Sequence, residues 1–243
     1  VRAIDPLELA KNPRLGAKKS VYFVSVSGRT TSNIAAAKNT NSTAITKNVT
    51  SPLARTCKKT IPLHYKDAGV QTAGTVGFLA SAIACLSLVN KIKIKNAVGL
   101  YLRAKKLSQI KLSHSVFFLG NQHTYPVAIY AAAKLYEVMG YTAHYSKTEQ
   151  FSHMELFCTK PRDSIILFEE KNRHNARLAS NLKKLGLNVY IPSAGTGDKI
   201  SQVIFYVFFS QHLALYNARQ RRLRNCYFVT RKKIRNASSH MIY

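Results

Sequence analysis

Residues 19–26 (KSVYFVSV) form a β-branched and aromatic run that stops at Ser27-Gly28, and an Ala-rich helical pattern takes over across residues 30–38. A strand that passes through a glycine turn straight into a helix is the opening of a crossover unit, which commits the chain to a parallel sheet with helices on its faces. Short strands are expected at 42–46 and 60–64, and an apolar helix at 72–89. The Lys-rich stretch 90–113 reads as a connecting helix, after which the pattern restarts with a strand at 116–119, a Gly-containing loop, a long helix at 125–139 and a strand at 141–145. A strand at 164–168, a helix at 171–185, a strand at 188–191 and a helix at 200–218 complete a second α/β unit. The expected organisation is a first unit at 1–95, a linker helix at 96–112, a second unit at 113–218 and a basic tail at 219–243.

Composition narrows the class. With 46% hydrophobic and 10% aromatic residues the chain can bury a core and is not of the disordered kind. Cys57, Cys85, Cys158 and Cys226 form no C-x-x-C pair, so neither a zinc site nor a redox motif is expected, and a reduced, cytoplasmic setting is the default. The most apolar stretch, 68–90, carries Gln, Thr, Ser and Gly and reads as a loop entering a buried helix, not as a membrane span; residues 1–5 show no signal-peptide pattern. The unusual number is the charge: 37 Lys and Arg face 10 Asp and Glu, and Asp67 is the only acid between Glu8 and Glu137. A field of this sign attracts phosphorylated ligands, nucleic acid or acidic surfaces. The segment 219–235 holds eight Arg or Lys and no acid, yet includes Cys226-Tyr227-Phe228-Val229, so it is not a plain solvated charge run.

Ser25-Val26-Ser27-Gly28-Arg29-Thr30 lies where a parallel strand ends and a helix begins. Ligands bind at that end of such a sheet, and a helix start offers N–H groups and a positive dipole to a phosphate, with the hydroxyls of Ser25, Ser27 and Thr30 close by. The plainer reading is that these residues only cap the helix.

The motifs in their order resemble those of the SIS (sugar isomerase) family, in particular the isomerase half of glucosamine-6-phosphate synthase and stand-alone sugar-phosphate isomerases and deaminases. S-V-S-G-R-T at 25–30 is similar to the family's S-x-S-G-E-T phosphate loop, and T-K-N-V-T-S-P-L-A at 46–54 to its T-N-x-x-S-P-L-A turn. Ala68-Gly69 with Gln71, leading to Thr75, resembles A-G-x-E … T-K, and F-L-G-N-Q-H-T-Y-P-V-A at 118–128 resembles F-L-G-R-G-x-x-Y-P-x-A. The resemblance implies two flavodoxin-like or Rossmann-like parallel-sheet units flanked by helices, a homodimer, a sugar phosphate of the hexose or hexosamine 6-phosphate class as ligand, and chemistry without cofactor or metal.

It also implies roles. Ser25, Ser27, Gly28, Arg29 and Thr30 would hold the phosphate. Lys134-Leu135-Tyr136-Glu137 stands in place of K-L-K-E, with three-residue spacing that sets Lys134 and Glu137 on one helical face. Glu137 would be the base that moves a proton between C1 and C2 through an enediol or enolamine, a task that suits a carboxylate whose pKa burial has raised toward neutrality. His153 stands where relatives carry a ring-opening histidine, although Met154-Glu155 replaces Gly-Pro after it. Lys233, or Lys232 beside it, corresponds to a lysine near the carboxyl end of relatives.

Departures accompany these matches. No strand with a G-x-G/C-T-S loop is visible in residues 1–18, so the first unit reads as truncated at its amino end; Arg29 replaces the usual Glu, and Asn121-Gln122 replaces Arg-Gly. These residues carry no amino-terminal Cys-nucleophile domain, so glutamine-dependent amino transfer is not expected of them alone. The expected function is an aldose–ketose sugar-phosphate isomerase or amino-sugar-phosphate deaminase. The alternatives are a degenerate SIS protein that senses phosphosugars, or one that binds nucleic acid or ribonucleoprotein through its basic surface, for which no known nucleic-acid-binding signature is present.

Overall fold

The computed structural model describes residues 2–70 and 72–242. The chain divides into two compact units, one built from the residues up to Ile92 together with the segment from Lys232 onward, the other from Lys93–Arg231.

In the first unit, strands β1 (Val21–Val24), β2 (Ser42–Thr46) and β3 (Lys59–Pro62) form a parallel sheet in the order β1-β2-β3. No strand precedes β1 among the described residues; helix α1 (Pro6–Lys11) and a 3₁₀ turn occupy that stretch. Asp5 caps α1 by accepting from the N–H groups of Leu7 and Glu8, and the Pro at the first helical position needs no N–H partner. Leu9 of α1 packs with Phe23, Ala44, Leu53 and Cys57 and with Ala36 and Ala37 of α2 (Thr31–Lys38). Alanines on α2 let that helix lie close, and the small core they make suits a three-stranded sheet. Helix α3 (Pro52–Thr56) starts at the Ser51 cap, and the apolar helix expected from Thr72 begins only at Val76, as α4 (Val76–Ser87). Gly74, a poor helix former, lies in the turn that delays it.

In the second unit, β4 (Val116–Gly120), β5 (Ala143–Ser146), β6 (Ser164–Phe168) and β7 (Asn188–Tyr190) are parallel in the order β5-β4-β6-β7. Every residue of β4 and β6 is buried, as expected of central strands covered on both faces. Their alternation sorts the two layers. Phe117, Leu119, Ile165 and Leu167 pack with Phe151 of α7 (Thr148–His153) and with Ala179 and Leu182 of α8 (Arg173–Lys184). From the other face, Phe168 stacks on Tyr206 of α9 (Lys199–Gln220), with ring centroids 4.9 Å apart, and meets Phe209 edge-on. Helices α6 (Tyr125–Met139) and α5 (Ala97–Leu107) both pack on α9. The Cys226-Tyr227-Phe228-Val229 segment folds back as α10 (Tyr227–Thr230) against α6, where the Tyr227 ring covers Gly140; α11 (Lys232–Ile242) belongs to the first unit.

One polar residue joins α9 to the chain that feeds β4. Buried Asn217 accepts from the N–H of Leu112 (2.9 Å) and donates to the carbonyls of Ile110 and Leu213 (2.9 Å each). Asn217→Leu keeps the branching of the side chain but orphans the Leu112 N–H and the Ile110 carbonyl, so it is expected to cost about 2 kcal/mol. A lowered urea midpoint with an unchanged slope is the expected reading.

Candidate functional site

The loop after β1 is built around Gly28. Its φ is +64°, and a Cβ there would lie 2.0 Å from Ser51 Oγ and 3.1 Å from Thr46 Oγ1. Only glycine fits both the backbone twist and the close approach. The loop is then pinned to the turn that starts α3: Leu53 N–H donates to Gly28 O (3.1 Å), Lys47 N–H to Val26 O (3.2 Å) and Thr46 Oγ1 to Val26 O (3.1 Å). Ser51, which the loop covers, accepts from Ala54 N–H and so serves as the α3 cap. The sequence shows Ser51 as part of the 46–54 turn motif; its place beneath Gly28 appears only in the fold.

Within the loop, Ser25 Oγ accepts from Gly28 N–H (3.1 Å) and shares a 3.2 Å hydrogen bond with Thr30 Oγ1, while Ser27 Oγ accepts from Arg29 N–H (3.3 Å). Thr30 occupies the N-cap position of α2, yet its side chain makes no capping bond. The capping reading of this cluster therefore fails for Thr30. Three hydroxyls and the exposed Arg29 surround the start of α2, where the helix dipole is positive. Of the A-G segment, Gly69 adopts a left-handed φ of +69° and Thr75 precedes α4, while Gln71 lies outside the described residues. Asp67 pairs with Lys47, whose ammonium also lies 4.7 Å from the Tyr65 ring centre.

The second group of candidates sits on α6. Lys134 and Glu137 form an ion pair with opposite surroundings: the lysine side chain is 4% exposed and the glutamate side chain 41%. The buried ammonium lies over the ring of Tyr130 at 5.1 Å, and Gln211 Nε2 donates to the Tyr130 hydroxyl (3.0 Å). Burial pushes the Tyr130 phenol far above its ordinary range, which keeps that hydroxyl neutral, and the hydrogen bond from Gln211 and the Glu137 charge are lesser influences. A fixed cation behind a solvent-reachable carboxylate is an arrangement able to orient a proton-transfer group. Spacing alone indicates the shared face, which by the i,i+4 relation includes Tyr130; the role of Gln211, on α9, is tertiary and carries no sequence signal.

His153 is the last residue of α7 and is exposed; Lys232 and Lys233 open α11 and are exposed too. Lys134 and Glu137 are in direct contact, as are Ser25, Gly28 and Thr30. No group of His, Cys, Asp and Glu among the described residues could hold a metal ion, and no helix there is long and apolar enough to cross a membrane.

No protein-family model matches the chain, and no curated protein matches it in sequence. Solved structures do. Glucosamine-6-phosphate deaminase from Thermotoga maritima aligns at TM-score 0.70 and 20% identity over 89% of this chain and 75% of that one. Tagatose-6-phosphate ketose/aldose isomerase from Escherichia coli gives 0.72 and 15% over 90% and 74%. The C-terminal domain of glucosamine-fructose-6-phosphate aminotransferase from Francisella tularensis gives 0.61 and 21% over 82% and 71%. Two parallel-sheet units, a glycine-pinned Ser/Thr loop after β1 and these alignments agree that the chain has the SIS, or sugar isomerase, fold.

Proposed function

We propose that this protein binds a hexose or hexosamine 6-phosphate and interconverts aldose and ketose forms, or releases ammonia from the amino sugar, through an enediol or enolamine. The observation that carries the reading is the loop 25–30, where three hydroxyls gather at a helix start that the Thr30 side chain does not cap, with Gly28 locked against Ser51. Glu137 is the base: it takes the proton from C2 of the open-chain aldose, so that the electron pair of the broken C–H bond enters the C1–C2 double bond and the C1 oxygen gains a proton; it then returns the proton to C1 as the C2 hydroxyl loses its own and the C2 carbonyl forms. In the deaminase form the same step yields an enolamine, and water then replaces the amine as the ketone forms. Lys134 holds the carboxylate in place, His153 is assigned ring opening, and Lys233 carbonyl binding, all four by analogy with the SIS motifs. The fold relatives, a glucosamine-6-phosphate deaminase and a tagatose-6-phosphate ketose/aldose isomerase among them, support the same substrate class. The protein is proposed to work as a homodimer.

Calorimetric titration with glucose 6-phosphate and with glucose tests the phosphate cradle. The phosphorylated sugar is expected to bind and the free sugar not to bind at the same concentration. Ser25→Ala combined with Ser27→Ala is expected to weaken the phosphosugar about 10–100-fold, the loss that removing charge-assisted hydrogen bonds brings. Equal affinity for both sugars would remove the cradle from the account.

One observation favours a second reading. The chain carries 37 Lys and Arg against 10 Asp and Glu, so carboxylates such as Asp67 and Glu137, which pair with Lys47 and Lys134, are far outnumbered. A surface so short of counter-charges can dock on nucleic acid, and such binding would fall steeply with salt through counterion release.

A further inference from the structure

The second unit contains a crevice of about 790 Å³ at the carboxyl ends of its strands, and none of Ser25, Ser27, Arg29, Thr30, Lys134 and Glu137 lines it. Its position follows from the strand order. Chain direction across the sheet reverses at β4, which leads outward to β5 on one side while its other neighbour, β6, leads to β7 on the far side. The loops that leave two adjacent strands in opposite directions open a crevice outside their carboxyl ends, and ligands of open parallel sheets bind there. The loop after β4 supplies Asn121 and His123, the start of α7 supplies Thr148 and Glu149, and the loop after β6 supplies Glu169 and Asn172.

The wall is held in place before any ligand arrives. Asn121 Nδ2 donates to Thr148 Oγ1 (2.9 Å) and to the Glu169 carboxylate. Gln202 Nε2 donates to Thr196 O (2.7 Å), which turns its amide oxygen toward His123 Nε2 at 2.8 Å. The imidazole must therefore donate from Nε2, and its buried Nδ1 is left without a partner.

The lining inverts the composition of the chain. It includes three of the protein's 10 acids, Glu149, Glu169 and Glu170, and none of its 37 Lys and Arg. Glu170 is committed internally, accepting from Ala194 N–H (2.6 Å) and from the hydroxyls of Ser193 and Tyr206, whereas Glu149 is exposed to the crevice mouth. A phosphate placed here would meet three carboxylates and no cation to offset them. Acceptors dominate, so the complementary ligand is one rich in O–H and N–H donors that carries positive charge.

We propose that this crevice binds a small unphosphorylated hydroxylated amine, of the amino-sugar class, with its ammonium against Glu149 and Glu169 and its hydroxyls against Asn121, Thr148 and Asn172. The volume is within the range of small-molecule sites and leaves room for bridging water around a monosaccharide. The crevice lining shares no residue with the phosphate cradle, and the proposal stands whether or not the chain turns over a phosphosugar.

The test is a calorimetric titration of the full chain with glucosamine, glucose and glucose 6-phosphate. Saturable glucosamine binding is expected, at least 10-fold tighter than that of glucose, weakened at least 10-fold by Glu169→Gln and by Glu149→Gln, and unchanged by Ser25→Ala. Glu149 is exposed, so its variant answers the question even if Glu169→Gln fails to fold. Absence of saturable glucosamine binding, glucose binding as tightly, affinity that Glu149→Gln leaves intact, or binding lost in Ser25→Ala would each overturn the proposal.

Discussion

Replacing Glu137 by Gln is expected to lower turnover of the active hexose phosphate by about 10²–10⁴-fold, the contribution of a positioned general base. The amide oxygen still accepts from Lys134, so the side chain stays where it is while its ability to take a proton is lost. Lys134 is buried at 4% side-chain exposure and loses its counter-charge, so a modest drop in melting temperature accompanies the change. Phosphosugar binding, measured by calorimetry on the same preparation, separates the two effects: affinity is expected to stay within about threefold of the parent, since the account assigns the carboxylate to the proton transfer and the loop 25–30 to the phosphate. A loss of binding that matches the loss of turnover would make Glu137 a structural residue instead of a base.

The second large effect is expected at Gly28. Gly28→Ala adds a Cβ at φ +64°, 2.0 Å from Ser51 Oγ and 2.5 Å from Ser51 Cβ. The left-handed conformation costs about 1–2 kcal/mol for a non-glycine residue, and forcing a methyl group into a packed contact costs about 1–3 kcal/mol more. The sum, about 2–5 kcal/mol, is a large part of an ordinary domain's stability. Phosphosugar affinity should fall with it, because the Ser25 to Thr30 loop is held by the Gly28 contacts. Combining Gly28→Ala with Ser51→Gly removes the steric part and is expected to recover about half of the loss, a coupling that a double-mutant cycle in urea measures. Simple additivity of the two changes would place the strain elsewhere.

Much of this architecture is legible along the chain. The strand-to-glycine-to-helix passage at Ser25 to Thr30 and its counterpart after Val116 identify parallel units because hydrophobic period changes where the backbone turns. What escapes is short or tertiary. Helices α1 and α7 have six residues each and α10 four, too few for a helical period to emerge from noise. The strand expected from Tyr141 starts only at Ala143. Gly140, in the left-handed conformation at φ +61°, and Tyr141, whose N–H returns to Leu135 O at 3.2 Å, are both used to terminate α6. At the candidate site, the three-residue spacing of Lys134 and Glu137 predicts their contact, which the structure contains. It cannot predict that the lysine is buried over Tyr130 while the carboxylate faces solvent, since that asymmetry comes from α9 packing on α6. The crevice of the second unit was invisible for the same reason: its wall combines residues from Asn121 to Gln202, contributed by loops after separate strands.

A proton relayed by Glu137 between C1 and C2 of a hexose or hexosamine 6-phosphate leaves its trace in D₂O. Fructose 6-phosphate, glucose 6-phosphate and glucosamine 6-phosphate are each incubated with the protein, and conversion and deuterium at C1 and C2 are followed by NMR. Conversion of at least one of them is expected, with solvent deuterium entering at C1 or C2, and both are expected to be lost in Glu137→Gln. Protein that binds these sugars yet yields neither conversion nor deuterium, or a Glu137→Gln variant that exchanges as fast as the parent, would contradict it.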